Sequence, residues 1–178
     1  MKIPVVMLML LIFPALALAQ THGAANSSEM RKLDFLVGEW EGDGWIEFGP
    51  GQRHTFRQKE SIQSKVGGHV LLVEGLGKGK LQSAGEESVV HNAFAVVSFD
   101  KEAKRFRFLA WRATGDSVDA DVTVAEKSLV WGFRDPRAGQ IRFTIKLDGA
   151  GRWFEIGETS RDGQTWRKFF EMTLQKVK

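Results

Sequence analysis

Leu36-Val37-Gly38-Glu39-Trp40-Glu41-Gly42 is the stretch at which the chain changes period. Upstream, residues 29–37 read as a short amphipathic helix with Met30, Leu33 and Val37 on one face. A helix of that length is marginal alone, so its apolar stripe must pack on something. Downstream from Trp40 the period becomes two, as strands require. Ten strand-like runs follow: 40–48, 54–64, 69–76, 89–99, 105–113, 116–125, 128–133, 140–147, 152–158 and 166–177. Tight-turn residues separate them, among them Gly49-Pro50-Gly51, Gly67-Gly68, Asp135-Pro136 with Gly139, and Asp162-Gly163. Regular strand spacing with no second helix predicts an all-β fold. Near-neighbour hairpins predict a single antiparallel up-and-down β-barrel of eight to ten strands with a short N-terminal helix. Trp40 then marks the closed end.

The rest of the chain fits one such domain. Lys2, the apolar run from Val5 to Phe13 and the small-x-small Ala17-Leu18-Ala19 read as a secretory signal peptide, residues 1–19, cleaved between Ala19 and Gln20. Pro14 interrupts the apolar run, which is short of the roughly 20 residues that span a bilayer. Residues 20–28 are a flexible leader and 29–178 the barrel domain. No integral membrane segment is expected after cleavage, and a periplasmic or secreted location follows. Cysteine is absent, which excludes disulfides, thiolate metal sites and a lipidated N-terminal cysteine. Lys and Arg total 25 against 22 Asp and Glu, with the signs interspersed, which argues against a nucleic-acid partner. Tyrosine is absent too, so Phe and Trp are the aromatic stock of the core.

Phe35-Leu36-Val37-Gly38-Glu39-Trp40-Glu41-Gly42 resembles the opening of calycin-type barrels. Residues 157–166, followed by Phe169-Phe170-Glu171-Met172, are similar to the ending of an uncharacterised bacterial lipocalin-like family. That resemblance spans most of residues 20–178 and implies an antiparallel barrel holding a small apolar molecule. It also implies a basic residue of the last strand packed on Trp40, with Arg167 or Lys168 as the candidates. The disulfide common among lipocalins is missing. Ser160-Arg161-Asp162-Gly163-Gln164-Thr165-Trp166 resembles an Asp-box, one residue short, and reads as a hairpin turn with Asp162-Gly163 at its tip.

Candidate site residues come from strand phase. Glu60 shares a phase with Phe56 and Ile62, Glu74 with Leu72 and Leu76, and His91 with Ala93 and Ala95. Arg112 goes with Phe108 and Ala110, and Glu158 with Phe154 and Ile156. If those apolar faces line the interior, three carboxylates, a guanidinium and an imidazole converge there, with Arg112 pairing to one or two glutamates. Charges so placed need partners or must neutralise. Trp111 and Trp131 are the expected aromatic lining. Gly75-x-Gly77-x-Gly79 lacks the following helix of a phosphate loop and reads, with 77–88, as a mouth loop or lid.

The function expected is an exported lipocalin-like barrel that binds a small hydrophobic or amphipathic molecule, with no catalytic residue, metal or cofactor assigned. No Gly-x-Ser-x-Gly elbow or histidine pair at metal-ligand spacing occurs. Three alternatives stay open: an isomerase or lyase using Glu and His, a haem barrel ligated by His69 or His91, and a purely structural envelope protein.

Overall fold

The computed structural model describes residues 28–49, 51–80 and 87–177. The expected signal peptide and all of the leader except Ser28 lie outside the described residues. Ten strands run in chain order: β1 Gly38–Glu47, β2 Arg53–Lys65, β3 Val70–Lys80, β4 Glu87–Asp100, β5 Arg105–Arg112, β6 Ser117–Ala125, β7 Ser128–Asp135, β8 Gly139–Leu147, β9 Trp153–Ser160 and β10 Arg167–Lys176. Each is antiparallel to its neighbour, and β10 pairs back onto β1, closing the barrel. Closure leaves no sheet edge unpaired, which suits strands of this length.

The helix at one end is tighter than the sequence suggests. One turn over Ser28, Glu29 and Met30 leads into 3-10 geometry over Arg31–Leu36. Three residues per turn align positions three apart. Met30, Leu33 and Leu36 are therefore the buried line, and Val37, expected in that role, is only half-buried. The helix belongs to the core that also includes Trp40, Ile62, Leu71, Val97, Leu129, Trp153 and Leu174. The Trp40 indole N–H donates to the Leu36 carbonyl at 2.8 Å, tying β1 to the last turn of the helix. Its ring meets Trp153 edge-on at 5.7 Å.

The basic residue on Trp40 comes from the last strand, but it is Lys176, its ammonium 5.4 Å from the ring centroid. Antiparallel pairing sets Trp40 opposite Lys176 and carries Arg167 and Lys168 to the other end of the barrel. There Arg167 bonds Glu47 at 3.1 Å and Lys168 pairs with Glu171. The stretch expected to be a loop after Leu76 is also different. Gly77 and Gly79 belong to β3, and their inward face is buried. Residues 81–86, inside the expected lid, lie outside the described residues.

Candidate functional site

Two strands supply a polar cluster to an otherwise apolar interior. On β2, Phe56, Gln58, Glu60 and Ile62 alternate inward and are all buried. On β9 the inward phase is Trp153, Glu155 and Gly157. Glu60 and Glu155 are 8% and 5% exposed, and Gln58 is 3% exposed. Gln58 Nε2 donates to Glu60 Oε1 at 2.7 Å, and Trp153 Nε1 donates to Glu155 Oε2 at 3.0 Å. No Lys, Arg or His pairs with either carboxyl among the described residues. Burial, and then the charge of Glu155, pushes the Glu60 carboxyl up to about 8 against the opposing hydrogen bond from Gln58. Burial pushes Glu155 to about 8 as well, opposed by the Trp153 N–H.

The glycines of β3 make room for this cluster. A Cβ on Gly75 would stand 2.8 Å from Glu60 Oε1, and one on Gly77 would stand 2.5 Å from Gln58 Oε1. Glycine inside a strand marks a close approach of this kind. Above the carboxyls the wall is aromatic. Trp131 stacks on Phe108 at 4.7 Å and on Phe143 at 4.3 Å, with Phe133 at 6.1 Å. Phe143 meets Phe170 edge-on at 5.6 Å, and Phe170 stacks on Phe56 at 5.6 Å. Trp131, Phe133, Phe143 and Phe170 are each only partly buried although they face inward. Solvent therefore reaches the inward face at this end of the barrel.

Of the residues singled out by phase, Glu60, His91, Arg112 and Trp131 are on the inward side. His91 lies opposite Gly77 at the mouth, reached by solvent, and burial of its ring followed by the Arg112 charge lowers its pKa. Arg112 is at the rim and bonds Asp116 at 2.9 Å, not a glutamate. Glu74 is exposed on the outer face of β3, because Val73 and Gly75 take the inward phase. Trp111 is 43% exposed and packs outside against Phe94, ring centroids 6.2 Å apart. Glu158 also faces outward, 2.8 Å from Arg142, whose guanidinium lies 3.8 Å over the Trp166 ring. Three carboxylates, an arginine and a histidine do not converge; two carboxyls with an amide and an indole do.

Glu155 and Gln58 were missed, Glu155 because β9 is apolar on both faces. Phe154 and Ile156 look like the inward pair, yet Trp153 takes that role by packing on Trp40. Gly157 was the available signal. A Cβ there would lie 2.7 Å from the Phe143 ring and 2.9 Å from Phe170, so only glycine fits that inward position. The two histidines of the haem alternative separate: His91 faces the mouth, whereas His69 follows the short turn between β2 and β3 at the closed end. Among the described residues no three His, Cys, Asp or Glu side chains are grouped to hold a metal ion, and no helix is long and apolar enough to cross a membrane.

Fold and site together define a closed ten-stranded antiparallel barrel, stoppered at one end by a helix and carrying a buried carboxyl pair inside an aromatic wall. No protein-family model matches the chain, and no curated protein matches it. Among solved structures it is similar to the crystal structure of Rv2717c from M. tuberculosis, with a TM-score of 0.59 at 11% identity, covering 84% of this chain and 97% of that one. At that identity the likeness is one of fold.

Proposed function

We propose that the protein is an exported, lipocalin-like carrier that holds one small hydrophobic or amphipathic molecule in the solvent-reached end of the barrel. The observation that carries this reading is the buried pair Glu60 and Glu155, each bonded to a neutral N–H donor, inside an apolar interior. Sequestering two carboxyls without a cation costs several kcal/mol. A barrel built only to be filled would be more stable with apolar side chains at both positions. A mostly apolar cavity with a few convergent polar groups is the usual form of a small-molecule site, and the Trp131–Phe143 wall supplies the apolar part. Export rests on the signal-like residues 1–19.

Native mass spectrometry of the protein purified from its own periplasm tests the proposal. A non-covalent adduct, displaced when Trp131 is replaced by alanine, is the expected result. A bare mass, together with no change of tryptophan fluorescence on adding apolar probes, would end the carrier reading.

One observation favours a second reading. Carboxyls held near pH 8 are poised for acid–base work around neutrality. An isomerase or lyase would show turnover abolished by Glu60→Gln with ligand affinity retained.

A further inference from the structure

Each carboxyl of the pair uses only one oxygen within the protein. Glu60 Oε1 accepts from Gln58 and Glu155 Oε2 accepts from Trp153. Glu60 Oε2 and Glu155 Oε1 take no hydrogen bond from a described residue. Neither is sealed off, since the fully occluded, unpaired side-chain polar atoms among the described residues are His69 Nδ1 and Arg107 Nε. Both free oxygens are therefore reached by solvent inside the barrel.

The surroundings hold nothing to neutralise them. The other charged or titratable groups in the inward phase stand at the ends of the strands. His91, His54 and Asp135 are at the mouth, where Arg112 is already paired with Asp116 and Arg167, opposite Thr159, with Glu47. Lys176 is exposed at the closed end, its ammonium against the Trp40 ring. The inward residues of β1, β3, β6, β8 and β10 between those ends are glycine or apolar. The rings above the carboxyls stack on one another, Phe56 on Phe170 and Trp131 on Phe143, and give that part of the interior an apolar wall.

We infer that the bound molecule carries a cationic amino group, which the free oxygens of Glu60 and Glu155 hold at the floor of the cavity while the aromatic wall takes its apolar body. This rests on the carrier reading and narrows it to one ligand class. Without a cation the two carboxyls stay largely protonated near neutrality. Binding an ammonium then ionises a carboxyl: the ligand keeps its proton, and the displaced carboxyl proton leaves to solvent. Affinity rises with pH below the carboxyl pKa, about tenfold per unit for one proton released.

A matched set of octylammonium, octanol and octanoate separates the possibilities by calorimetric titration between about pH 6.5 and 8.5, where the ammonium stays charged like a lysine. Octylammonium is expected to bind at least tenfold more tightly than the other two. Its affinity should climb with pH, with proton release read from two buffers of different ionisation enthalpy. Glu60→Gln and Glu155→Gln should each lower octylammonium affinity at least tenfold and abolish its proton release. If octanol or octanoate binds as tightly as the amine, or amine affinity falls with pH, the cationic inference is overturned and the carrier reading stands. Failure of all three probes, with no adduct in the native mass spectrum, overturns both. The wild-type comparison alone decides the matter should either variant fail to fold.

Discussion

At the scale of single residues, Gly42 shows how closely this barrel is fitted. It stands two positions beyond Trp40 on the inward face of β1, between Leu174 and Gln58 in the register. A Cβ there would run into the Thr173 carbonyl oxygen and lie 2.8 Å from the Leu174 Cα. Both are backbone atoms, so β10 itself must move. Gly42→Ala should lower stability by about 2–3 kcal/mol, the range of overpacked cores. Gly149, where a Cβ meets nothing within 4 Å, is the control; its alanine variant should stay within about 0.5 kcal/mol of the parent. Urea midpoints at unchanged m-value give both numbers, and equal effects at the two sites would refute the argument. Trp40 itself was legible as the strand-opening anchor. Its partner Lys176 was not, because the direction of pairing between first and last strand fixes the contact, and that is a property of closure.

At the scale of elements, β9 and the N-terminal helix teach opposite lessons. In β9 both phases carry large apolar groups, and alternation alone cannot say which one faces the core. The tie is broken by packing of Trp153 on Trp40 and by the rings that crowd Gly157. The consequence separates two glutamates three positions apart. Glu158→Ala loses a partly exposed ion pair with Arg142 and should cost less than about 1 kcal/mol. In the helix the apolar stripe was visible, but its spacing depended on geometry: three-residue turns selected Leu36 over Val37. Leu33 is wholly buried in the core, and Leu33→Ala should cost about 3 kcal/mol through lost burial and the cavity left behind. Thermal denaturation of the two variants beside the parent compares them directly. A Glu158 variant as unstable as the Leu33 variant would contradict the assigned phase of β9.

At the scale of the whole molecule, the carboxyl pair imposes a pH profile. Both groups rise from the ordinary carboxyl value of 4.5 to about 8. The folded protein then holds protons that the unfolded chain releases, so this contribution is complete below the ordinary value and is lost as pH climbs toward about 8. Each displaced unit is about 1.4 kcal/mol, so the falling limb spans several kcal/mol. On the acid side the sign reverses. Backbone N–H bonds, led by that of Thr165 for Asp162 and Arg152 for Asp148, hold those carboxyls below the usual range, as the Lys59 hydrogen bond does Glu41. Their contribution is present above the unfolded value and fades as pH falls through the folded one. Stability should therefore peak near about pH 5 and decline toward pH 8. The double variant Glu60→Gln, Glu155→Gln should flatten the decline. A profile that peaks at neutrality in the parent protein, measured by denaturant unfolding across pH, would show that the pair is not held protonated.

The sequence by itself determined the container: eight to ten strands, antiparallel order, a single barrel, a helix at one end and Trp40 at the same end. Those follow from local signals, the period of two and the glycine-rich turns, that each strand carries on its own. It also placed Glu60 inward, because β2 is apolar on one face only. The contents were decided by tertiary structure. Glu155 and not Glu158 took the inward phase, Glu74 and Trp111 went to the outer surface, Arg112 paired at the rim with Asp116, and the glycines of β3 made room for Glu60 and Gln58. In strands that are apolar on both faces, a shift of one residue exchanges inside for outside at almost no local cost. Only the closing of ten strands on one another, with each ring given a place to pack, settles that choice.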